Sequence, residues 1–258
     1  MKRLELASGD GLRLEVAVHG GDGQSAGTVL LAHGITVDMD EGGMFVRLAD
    51  RLAEAGFTAV RFSFRGHGGS EGTQAGVTIA GEMLDLQAVF GFAQREFAGP
   101  LSVMAASFGA VATCLSLPYL EPDLRSLVLW NPVLDLTRTF VAPELPWGLD
   151  NFGPEPQGLL ATQGYLLVDG EFRLGRVLFE EFRHYQPTEY FTGSRVPTLI
   201  VHGDRDTYVS YEVAQRAAAS RPGTDFHTVM DSDHGFDSRE REDQAISQTV
   251  DWLRRRNP

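Results

Sequence analysis

A serine, an aspartate and a histidine occur in this order along the chain, each in a short segment that could follow a β-strand. Ser107 lies in the segment AASFG, Asp206 in GDRD and His234 in SDHGF. A serine hydroxyl is a weak nucleophile at neutral pH, so it needs a base, and the base needs an orienting acid. The pattern therefore predicts nucleophilic catalysis by Ser107, with His234 as the base and Asp206 as the acid.

The segment around Ser107 is similar to a turn that exposes a catalytic serine between a strand and a helix. Residues 101–105 form an apolar run of strand length, and residues 108–117 predict a buried helix. The turn matches the pattern Gly-x-Ser-x-Gly except that Ala105 replaces the first glycine. A serine there has its hydroxyl at a helix N-terminus, which favours a developing anion. Taken alone, the segment is equally consistent with an ordinary strand–helix junction.

Three other carboxylates compete with Asp206 for the role of the acid. Asp204 lies two residues earlier, at the end of a predicted strand, where it could brace the strand end. Asp231 and Asp233 share the loop of His234, where a carboxylate tends to accept hydrogen bonds from backbone N–H groups. We therefore expect a hydrogen bond from His234 to Asp206 and none to Asp204.

An oxyanion formed by acyl transfer needs two backbone N–H donors. Phe108, directly after the serine, is one candidate, and Ile35, in the loop after the third predicted strand, is the other. Gly34 allows the turn that this loop requires. His33 is interpreted as a residue that braces the loop, and His202 as structural. The other histidines without a motif are expected at the surface or in an insertion: His19, His184 and His227.

Composition limits the function classes. The 258 residues are 43% hydrophobic and 22% charged, which is typical of a globular protein with one large α/β domain or two small ones. The net charge of −13 disfavours nucleic acid and anionic membranes as partners. The single cysteine, Cys114, suits a reducing compartment. Without an apolar N-terminal segment or a run of 18 apolar residues, we expect a cytoplasmic enzyme.

Strands and helices alternate along most of the chain, which predicts an α/β fold with a mostly parallel sheet and helices on both faces. Strands are predicted at residues 3–7, 12–18, 28–32, 57–64, 101–105, 124–130, 198–202 and 225–230. Helices are predicted at residues 44–55, 77–97, 108–117, 211–220 and 239–256. A glycine-rich loop is predicted at residues 20–27.

The alternation breaks after Asn131, where a long segment rich in proline and aromatic residues includes a predicted hairpin that turns at Asp169-Gly170. We interpret residues 133–187 as a cap inserted between two parts of the core, 1–132 and 188–258. A segment inserted at this edge of a sheet lies over the catalytic loops, so four of its aromatic side chains are candidates to bind substrate. They are Phe140, Trp147, Phe152 and Tyr165.

Together these motifs resemble the α/β-hydrolase superfamily over nearly the whole chain. The resemblance rests on HG at 33–34, RGHGGS at 65–70, AASFG at 105–109, GDRD at 203–206 and HGF at 234–236. The insert and the following segment, which includes VPTLIVHG, look like the small-capped cinnamoyl and feruloyl esterase group. The segment RGHGGS has no lysine of a phosphate-binding loop and is interpreted as a tight turn. No cofactor and no metal site are expected.

The leading hypothesis is a serine hydrolase, a carboxylesterase or thioesterase, that cleaves a small-to-medium acyl or aryl-acyl ester through an acyl-enzyme. The substrate is then a small-molecule ester, thioester or acyl compound. A second hypothesis uses the same three residues in a non-hydrolytic acyltransferase, lyase or cyclase of a biosynthetic pathway. A third is a ligand-binding member without catalysis, which an intact Ser, Asp and His set disfavours. The oligomeric state stays open, a homodimer included.

Overall fold

The computed structural model describes residues 1–20 and 25–256. In this part the strands are β1 Lys2–Ala7, β2 Arg13–His19, β3 Thr28–Ala32, β4 Thr58–Phe62, β5 Leu101–Ala106, β6 Leu124–Trp130, β7 Tyr165–Val168, β8 Phe172–Gly175, β9 Thr198–Gly203 and β10 Thr224–Val229. The α-helices are α1 Met44–Glu54, α2 Ile79–Glu96, α3 Gly109–Leu120, α4 Pro146–Phe152, α5 Pro154–Gln163, α6 Arg176–Glu181, α7 Pro187–Gly193, α8 Tyr211–Ala219 and α9 Arg239–Arg256. Short 3₁₀ turns cover Glu41–Gly43 and Gln74–Gly76, and a π-helical turn covers Thr137–Val141.

A central sheet of eight strands organises the described residues, in the order β1-β2-β4-β3-β5-β6-β9-β10. Strand β2 pairs antiparallel with β1 and β4, and all the other pairs in this sheet are parallel. The predicted α/β class and its mostly parallel sheet are therefore confirmed. Because parallel strands end at the same edge, the turns after β5, β9 and β10 come together there. The middle of the predicted glycine-rich loop, residues 21–24, lies outside the described residues.

Both faces of the sheet are covered, which explains why its central strands are apolar throughout. In β3, Leu30 and Ala32 pack toward the face that carries α2, α3 and α8. Val29 and Leu31 pack toward the opposite face, with α1 and α9. Alternate side chains of one strand thus enter two separate cores, and the strand cannot tolerate polar residues on either side. This double burial makes the sheet a rigid support for the loops at its edge.

Residues 133–187 pack as a third apolar cluster above the edge that carries Ser107. The cluster includes Phe108 and Ile35 from the core, so the segment contacts both loops predicted to bind an oxyanion. The hairpin formed by β7 and β8 turns at Asp169 and Gly170, whose φ angles are 51° and 75°. Positive φ at both turn residues is the pattern of a tight hairpin, as the sequence predicts. The division into core and cap at these boundaries stays an interpretation.

One histidine contradicts the sequence-based expectation. His19 was expected at the surface or in the insertion, but it lies at the end of β2 and is only 4% exposed. Its Nδ1 is 2.9 Å from Asp50 and its Nε2 is 3.0 Å from the guanidinium of Arg61. The prediction is wrong because a polar side chain at a strand end can be buried when a charged partner comes from a neighbouring strand. His184, by contrast, is exposed.

No helix among the described residues is both long enough and apolar enough to cross a bilayer.

Candidate active site

Ser107 lies on a tight turn between β5 and α3. Its backbone is left-handed, with φ of 49°, a conformation that is uncommon for residues other than glycine. Its N–H donates to the carbonyl of Trp130 at 2.8 Å, and its own carbonyl accepts from the N–H of Val133 at 3.0 Å. These bonds tie the turn to the end of β6. Ser107 also directly precedes the N-cap residue of α3, where the helix dipole favours negative charge.

The small residues on either side of Ser107 are required by close approach of the backbones. Ala105 is fully buried in β5, paired with Ala32 of β3, and its methyl group is accommodated. A Cβ at Gly109 would lie 2.5 Å from the carbonyl oxygen of His33 and 2.6 Å from that of Ala32. Alanine is therefore tolerated two residues before the serine, whereas glycine is needed two residues after it.

We expect Gly109→Ala to lower the free energy of unfolding by about 1–3 kcal/mol, the usual cost of overpacking a core. Urea unfolding of the variant and the parent measures this difference. Gly158→Ala in α5 is the matched control, because a Cβ there meets no atom within 4 Å. An alanine inside a helix is favoured over glycine by up to about 1 kcal/mol, so the control should be neutral or stabilised. Equal stability of Gly109→Ala and the parent would contradict the tight contact.

A chain of hydrogen bonds joins Ser107 to Asp206 through the ring of His234. The Oγ of Ser107 is 3.1 Å from Nε2, and Nδ1 is 2.8 Å from Oδ2 of Asp206. The predicted hydrogen bond between His234 and Asp206 is present. With the proton on Nδ1, the lone pair of Nε2 faces the hydroxyl group of Ser107. In this arrangement the ring can accept the proton of the hydroxyl group.

Two of the three competing carboxylates, Asp231 and Asp233, have other partners. Asp204 forms no hydrogen bond to the ring of His234 within the described residues, as predicted. Asp233 accepts from the N–H and hydroxyl of Thr207 and from the backbone N–H of His234, so it stabilises its own loop. Asp231 forms an ion pair at the surface. Only Asp206 is placed to orient the ring.

The carboxylate of Asp206 is buried and fully hydrogen-bonded. Its Oδ1 accepts the backbone N–H groups of Tyr208 and Val209, both at 2.8 Å. Its Oδ2 also lies 3.1 Å from Nε2 of His202, a fully buried ring. Burial would raise the pKa of Asp206, but the charge of His234 and the hydrogen bonds from both histidines outweigh it and hold the pKa well below its usual range. The acid therefore stays ionised, and His202 braces it from below.

The environment of His234 favours its protonated form. Burial lowers the pKa of the ring, but the charge of Asp206 and its hydrogen bond raise the pKa by more, with further contributions from Glu41 and Asp233. The net effect is a pKa above the ordinary value of a histidine. An imidazolium that forms during proton transfer is therefore stabilised by its surroundings.

Stacked aromatic rings fix the plane of the imidazole. Tyr208 stacks on His234 with 4.7 Å between ring centroids and an interplanar angle of 9°. Trp147, from α4, stacks on the other side of Tyr208 at 4.8 Å, and its indole N–H donates to Asp169 at 2.7 Å. The inserted segment thus supports the base through Tyr208. Sequence reasoning did not identify Tyr208, although an aromatic residue two positions after the acid was a usable signal.

Two backbone N–H groups near Ser107 have no acceptor among the described residues. They are those of Ile35, in the loop after β3, and Phe108, at the start of α3. These are the two donors predicted for an oxyanion, and both lie beside the serine. Ile35 and Ser107 line one cavity, and Phe108 is the residue that follows Ser107 in the chain. Buried N–H groups are nearly always paired in folded proteins. Two unpaired donors from two segments beside the same serine therefore suit an acceptor supplied by a ligand.

A cavity of ≈ 110 Å³ opens beside Ser107 and is bounded by Gly34, Val133, Phe140, Trp147 and His234, among others. A larger, more polar cleft of ≈ 340 Å³ adjoins it. The two share a wall made by Thr139, Tyr208 and Val209.

Two of the four aromatic candidates of the insertion line the cavity, and two do not. Phe140 and Trp147 form part of its wall. Phe152 is instead fully buried, with its ring against Phe140 and Trp147 at 5.0 and 5.4 Å. Tyr165 lies at the start of β7, away from the cavity, under the guanidinium of Arg173. For these two the structure corrects the expectation that they face the site, because one fills the interior of the insertion and the other lies on its hairpin.

Glu41 forms part of the cavity wall and was not singled out from the sequence. Its Oε2 accepts the backbone N–H of Gly34 at 2.8 Å. Burial raises the pKa of this carboxyl to about 7, while Gly34 and the charge of His234 lower it and Asp38 raises it. The available signal was an acidic residue followed by Gly-Gly shortly after the HG motif.

Three other features of the described residues could supply reactive or binding groups: metal ligands, the thiol of Cys114 and the turn at residues 65–70. In residues 1–20 and 25–256 no three His, Cys, Asp or Glu side chains are grouped so that they could bind a metal ion. Burial raises the pKa of the Cys114 thiol to about 12, so it stays protonated. The predicted tight turn at residues 65–70 is held by Arg65, whose guanidinium pairs with Asp85 at 2.7 Å and Asp10 at 2.8 Å.

Solved structures share this fold at low sequence identity. Est1E from Butyrivibrio proteoclasticus, solved with ferulic acid, matches with a TM-score of 0.84 and 20% identity over 98% of both chains. A Pyrococcus furiosus esterase, Pf2001, matches with a TM-score of 0.76 and 21% identity, over 100% of this chain and 91% of that one. Alpha/beta hydrolase domain-containing protein 10 from mouse matches with a TM-score of 0.79 and 17% identity over 99% of both chains. These likenesses show the α/β-hydrolase fold.

No curated protein sequence matches the chain. A family model does match, over residues 23–157, which is more than half of the chain and includes the HG loop and the turn of Ser107. Its description is "Serine aminopeptidase, S33". The chain therefore belongs to this hydrolase family and is an enzyme of the α/β-hydrolase type.

Proposed function

We propose that this enzyme is a serine hydrolase that cleaves a carboxylic ester or thioester of a small-to-medium acyl or aryl-acyl group. The observation that carries the proposal is the hydrogen-bonded chain from Ser107 through His234 to Asp206, at the wall of a cavity. The tight turn between β5 and α3 exposes Ser107, the ring of His234 accepts the proton of its hydroxyl group, and the buried carboxylate of Asp206 orients the ring. No other group of described residues at this edge offers a nucleophile together with its base.

The reaction proceeds in two halves. The hydroxyl oxygen of Ser107 attacks the acyl carbon while Nε2 of His234 takes the hydroxyl proton. The N–H groups of Ile35 and Phe108 bind the oxyanion, and Asp206 stabilises the imidazolium. The imidazolium then gives its proton to the leaving alcohol or thiol, which departs from the acyl-enzyme. Water, deprotonated by the same ring, releases the acid and restores the serine.

The family description suggests aminopeptidase activity as a second candidate. An aminopeptidase must bind the free ammonium group of its substrate, and an ionised carboxylate in the cavity is the natural partner for it. Glu41 is the carboxylate in the wall of the smaller cavity, but it already accepts the Gly34 N–H, and burial raises its pKa to about 7. This environment favours a neutral ester over a peptide with a charged N-terminus.

The size of the acyl group is inferred from the two cavities. The smaller one, beside Ser107, suits a short acyl chain or the carboxyl end of an aryl-acyl group. The adjoining cleft of ≈ 340 Å³ could take the rest of a longer substrate. Est1E, a structural relative, was solved with ferulic acid, which supports an aryl-acyl group here as well.

Hydrolysis is tested with a panel of p-nitrophenyl esters, hydroxycinnamate esters, acyl thioesters and aminoacyl p-nitroanilides. We expect turnover of esters or thioesters and little release of p-nitroaniline. Faster cleavage of the anilides would favour the aminopeptidase. The acyltransferase, lyase or cyclase alternative predicts an acyl-enzyme that water does not release, so a burst of p-nitrophenol without steady turnover would favour it.

Acyl preference should depend on the aromatic residues that line the cavity. We expect Trp147→Ala or Phe140→Ala to change the ratio of kcat/KM between short and long acyl esters by about tenfold or more, since one methylene in an apolar pocket is worth about 10–200-fold. The matched control is Tyr165→Ala, an aromatic of the insertion that lies outside the cavity. Steady-state kinetics across an acyl series measures the ratios. If both cavity variants kept the parental ratio of kcat/KM between short and long esters, the aromatic residues of the insertion would not determine acyl preference.

A further inference from the structure

The carboxyl group of Glu41 contacts the loop that carries the N–H of Ile35. Its Oε2 accepts the N–H of Gly34, the residue before Ile35, at 2.8 Å. A Cβ at Gly34 would lie 3.4 Å both from Oε1 of Glu41 and from Cβ of Ser107. The carboxyl and the serine therefore flank the same point of the loop. No arginine or lysine among the described residues forms an ion pair with Glu41, so the loop is its main partner.

Two buried histidines hold the carbonyl groups of the same loop. Nδ1 of His33 is 2.7 Å from the carbonyl oxygen of Gly34, and its Nε2 accepts the N–H of Phe64 at 2.9 Å. Nε2 of His67 is 2.6 Å from the carbonyl oxygen of Ile35. Burial lowers the pKa of both rings. Nδ1 of His67 also lies 2.9 Å from the carbonyl oxygen of Arg65, so a neutral His67 ring has one N–H for two carbonyl oxygens. Of the polar backbone groups of Gly34 and Ile35, only the N–H of Ile35 is left for a ligand.

The backbone at Glu41 indicates that this residue is held in place. Its φ is 47°, in the left-handed region, and the two residues that follow it are glycines with φ of 62° and 93°. A glycine at position 41 would adopt this conformation without strain, whereas glutamate does so at a cost. Such strain persists only where the surrounding structure holds the residue in place. For Glu41 the side-chain contact is the one with Gly34.

We propose that Glu41 is a positioning residue that holds Gly34 and thereby directs the N–H of Ile35 at the oxyanion on Ser107. The inference rests on the proposed serine mechanism and adds to it a residue that is neither nucleophile, base nor acid. His33 holds the carbonyl of the peptide that joins Gly34 to Ile35, and Glu41 holds the N–H of the peptide before it. Together these two contacts leave the N–H of Ile35 with one orientation. Preorganised donors of this kind stabilise the transition state more than the bound substrate.

Three variants separate the contact from the charge. Glu41→Gly removes the carboxyl and suits the left-handed backbone, so the fold is retained. Glu41→Gln keeps an acceptor oxygen but removes the charge. Asp38→Asn is the matched control, because it removes a neighbouring charge of the same loop that does not contact Gly34. Circular dichroism and thermal unfolding confirm that each variant is folded.

The rate of reaction with a fluorophosphonate is the main measurement, because the phosphonyl oxygen occupies the oxyanion position and no natural substrate is needed. We expect Glu41→Gly to react about 10- to 100-fold more slowly, less than the 10²–10³-fold cost of deleting an oxyanion donor outright. Asp38→Asn should stay within about threefold of the parent, and Glu41→Gln, which keeps an acceptor oxygen for the Gly34 N–H, should recover part of the rate that Glu41→Gly loses. With an ester substrate the loss should fall on kcat and leave KM nearly unchanged.

The pH dependence of the reaction gives a second measurement that a merely structural role would not change. The groups that face Glu41 are His234, Asp38 and the N–H of Gly34. The charge of Asp206 raises the pKa of His234, and the charges of Glu41 and Asp233 raise it further. Removing the charge of Glu41 lowers the pKa of His234. The acid limb of the rate profile should therefore move to lower pH in Glu41→Gln and in Glu41→Gly.

Two outcomes would overturn the inference without affecting the serine mechanism. One is a Glu41→Gly variant that reacts as fast as the parent. The other is a loss of reaction rate in Asp38→Asn equal to that in Glu41→Gly. The effect would then come from the negative charge of the loop and not from the contact with Gly34. Failure of the proposed function itself looks different, because the folded parent enzyme would then not be labelled at Ser107 at all.

Discussion

Ser107→Ala is expected to lower kcat by about 10⁶-fold while the protein stays folded. Loss of the nucleophile in enzymes of this type costs about that much, because the base and acid have no partner without the hydroxyl oxygen. The substitution removes one oxygen, whose hydrogen bond among the described residues is to Nε2 of His234. The backbone bonds that shape the turn, to Trp130 and Val133, do not involve the side chain. Stability should therefore change little.

The measurement compares ester turnover and fluorophosphonate labelling of the parent and the variant, with thermal unfolding as the check on folding. Ser116→Ala is a useful control, since Ser116 is a buried serine of α3 whose hydroxyl has no hydrogen-bond partner among the described residues. It should keep parental activity. If purified Ser107→Ala retained most of the turnover, the serine mechanism would be excluded and another nucleophile would have to be sought.

The three residues of the hydrogen-bonded chain could be predicted from the sequence because each lies in the turn or loop that follows a parallel strand. Residues at the carboxyl ends of β5, β9 and β10 meet at one edge of the sheet, wherever they lie in the chain. The apolar runs of β5 and β9 make these strand positions visible, and the order Ser, Asp, His along the chain adds the loop of His234. The two unpaired N–H groups follow in the same way, from the turns after β3 and β5.

Glu41 and Tyr208 could not be predicted by this reasoning, because their roles depend on how loops fold back. Glu41 is the first of three consecutive left-handed residues, and nothing in a periodic pattern indicates such a turn or its contact with Gly34. Tyr208 acts through ring stacking, which requires the plane of His234 to be known. The burial of Phe152 was missed for a related reason: α4 has seven residues, too few for an apolar periodicity that would show which face is inward.

The second large effect is expected when the acid that orients His234 is replaced, and it distinguishes Asp206 from Asp204 as that acid. Asp206→Asn is expected to lower kcat by about 10⁴-fold, the cost of losing the acid in such a site. The amide keeps one oxygen for the N–H groups of Tyr208 and Val209, so the loop should stay in place. It has no negative charge to hold the proton on Nδ1 of His234.

Asp204→Asn is the matched control, because it changes a carboxylate two residues away that forms no bond to the ring of His234. Its backbone N–H donates to Val229 in either form, so activity should stay within a few-fold of the parent. The pKa of His234, followed by NMR, separates the two variants independently of any substrate. The charge of Asp206 raises that pKa, so Asp206→Asn should lower it, and Asp204→Asn should leave it nearly unchanged. A large loss of kcat in Asp204→Asn alone would show that the acid has been assigned to the wrong carboxylate.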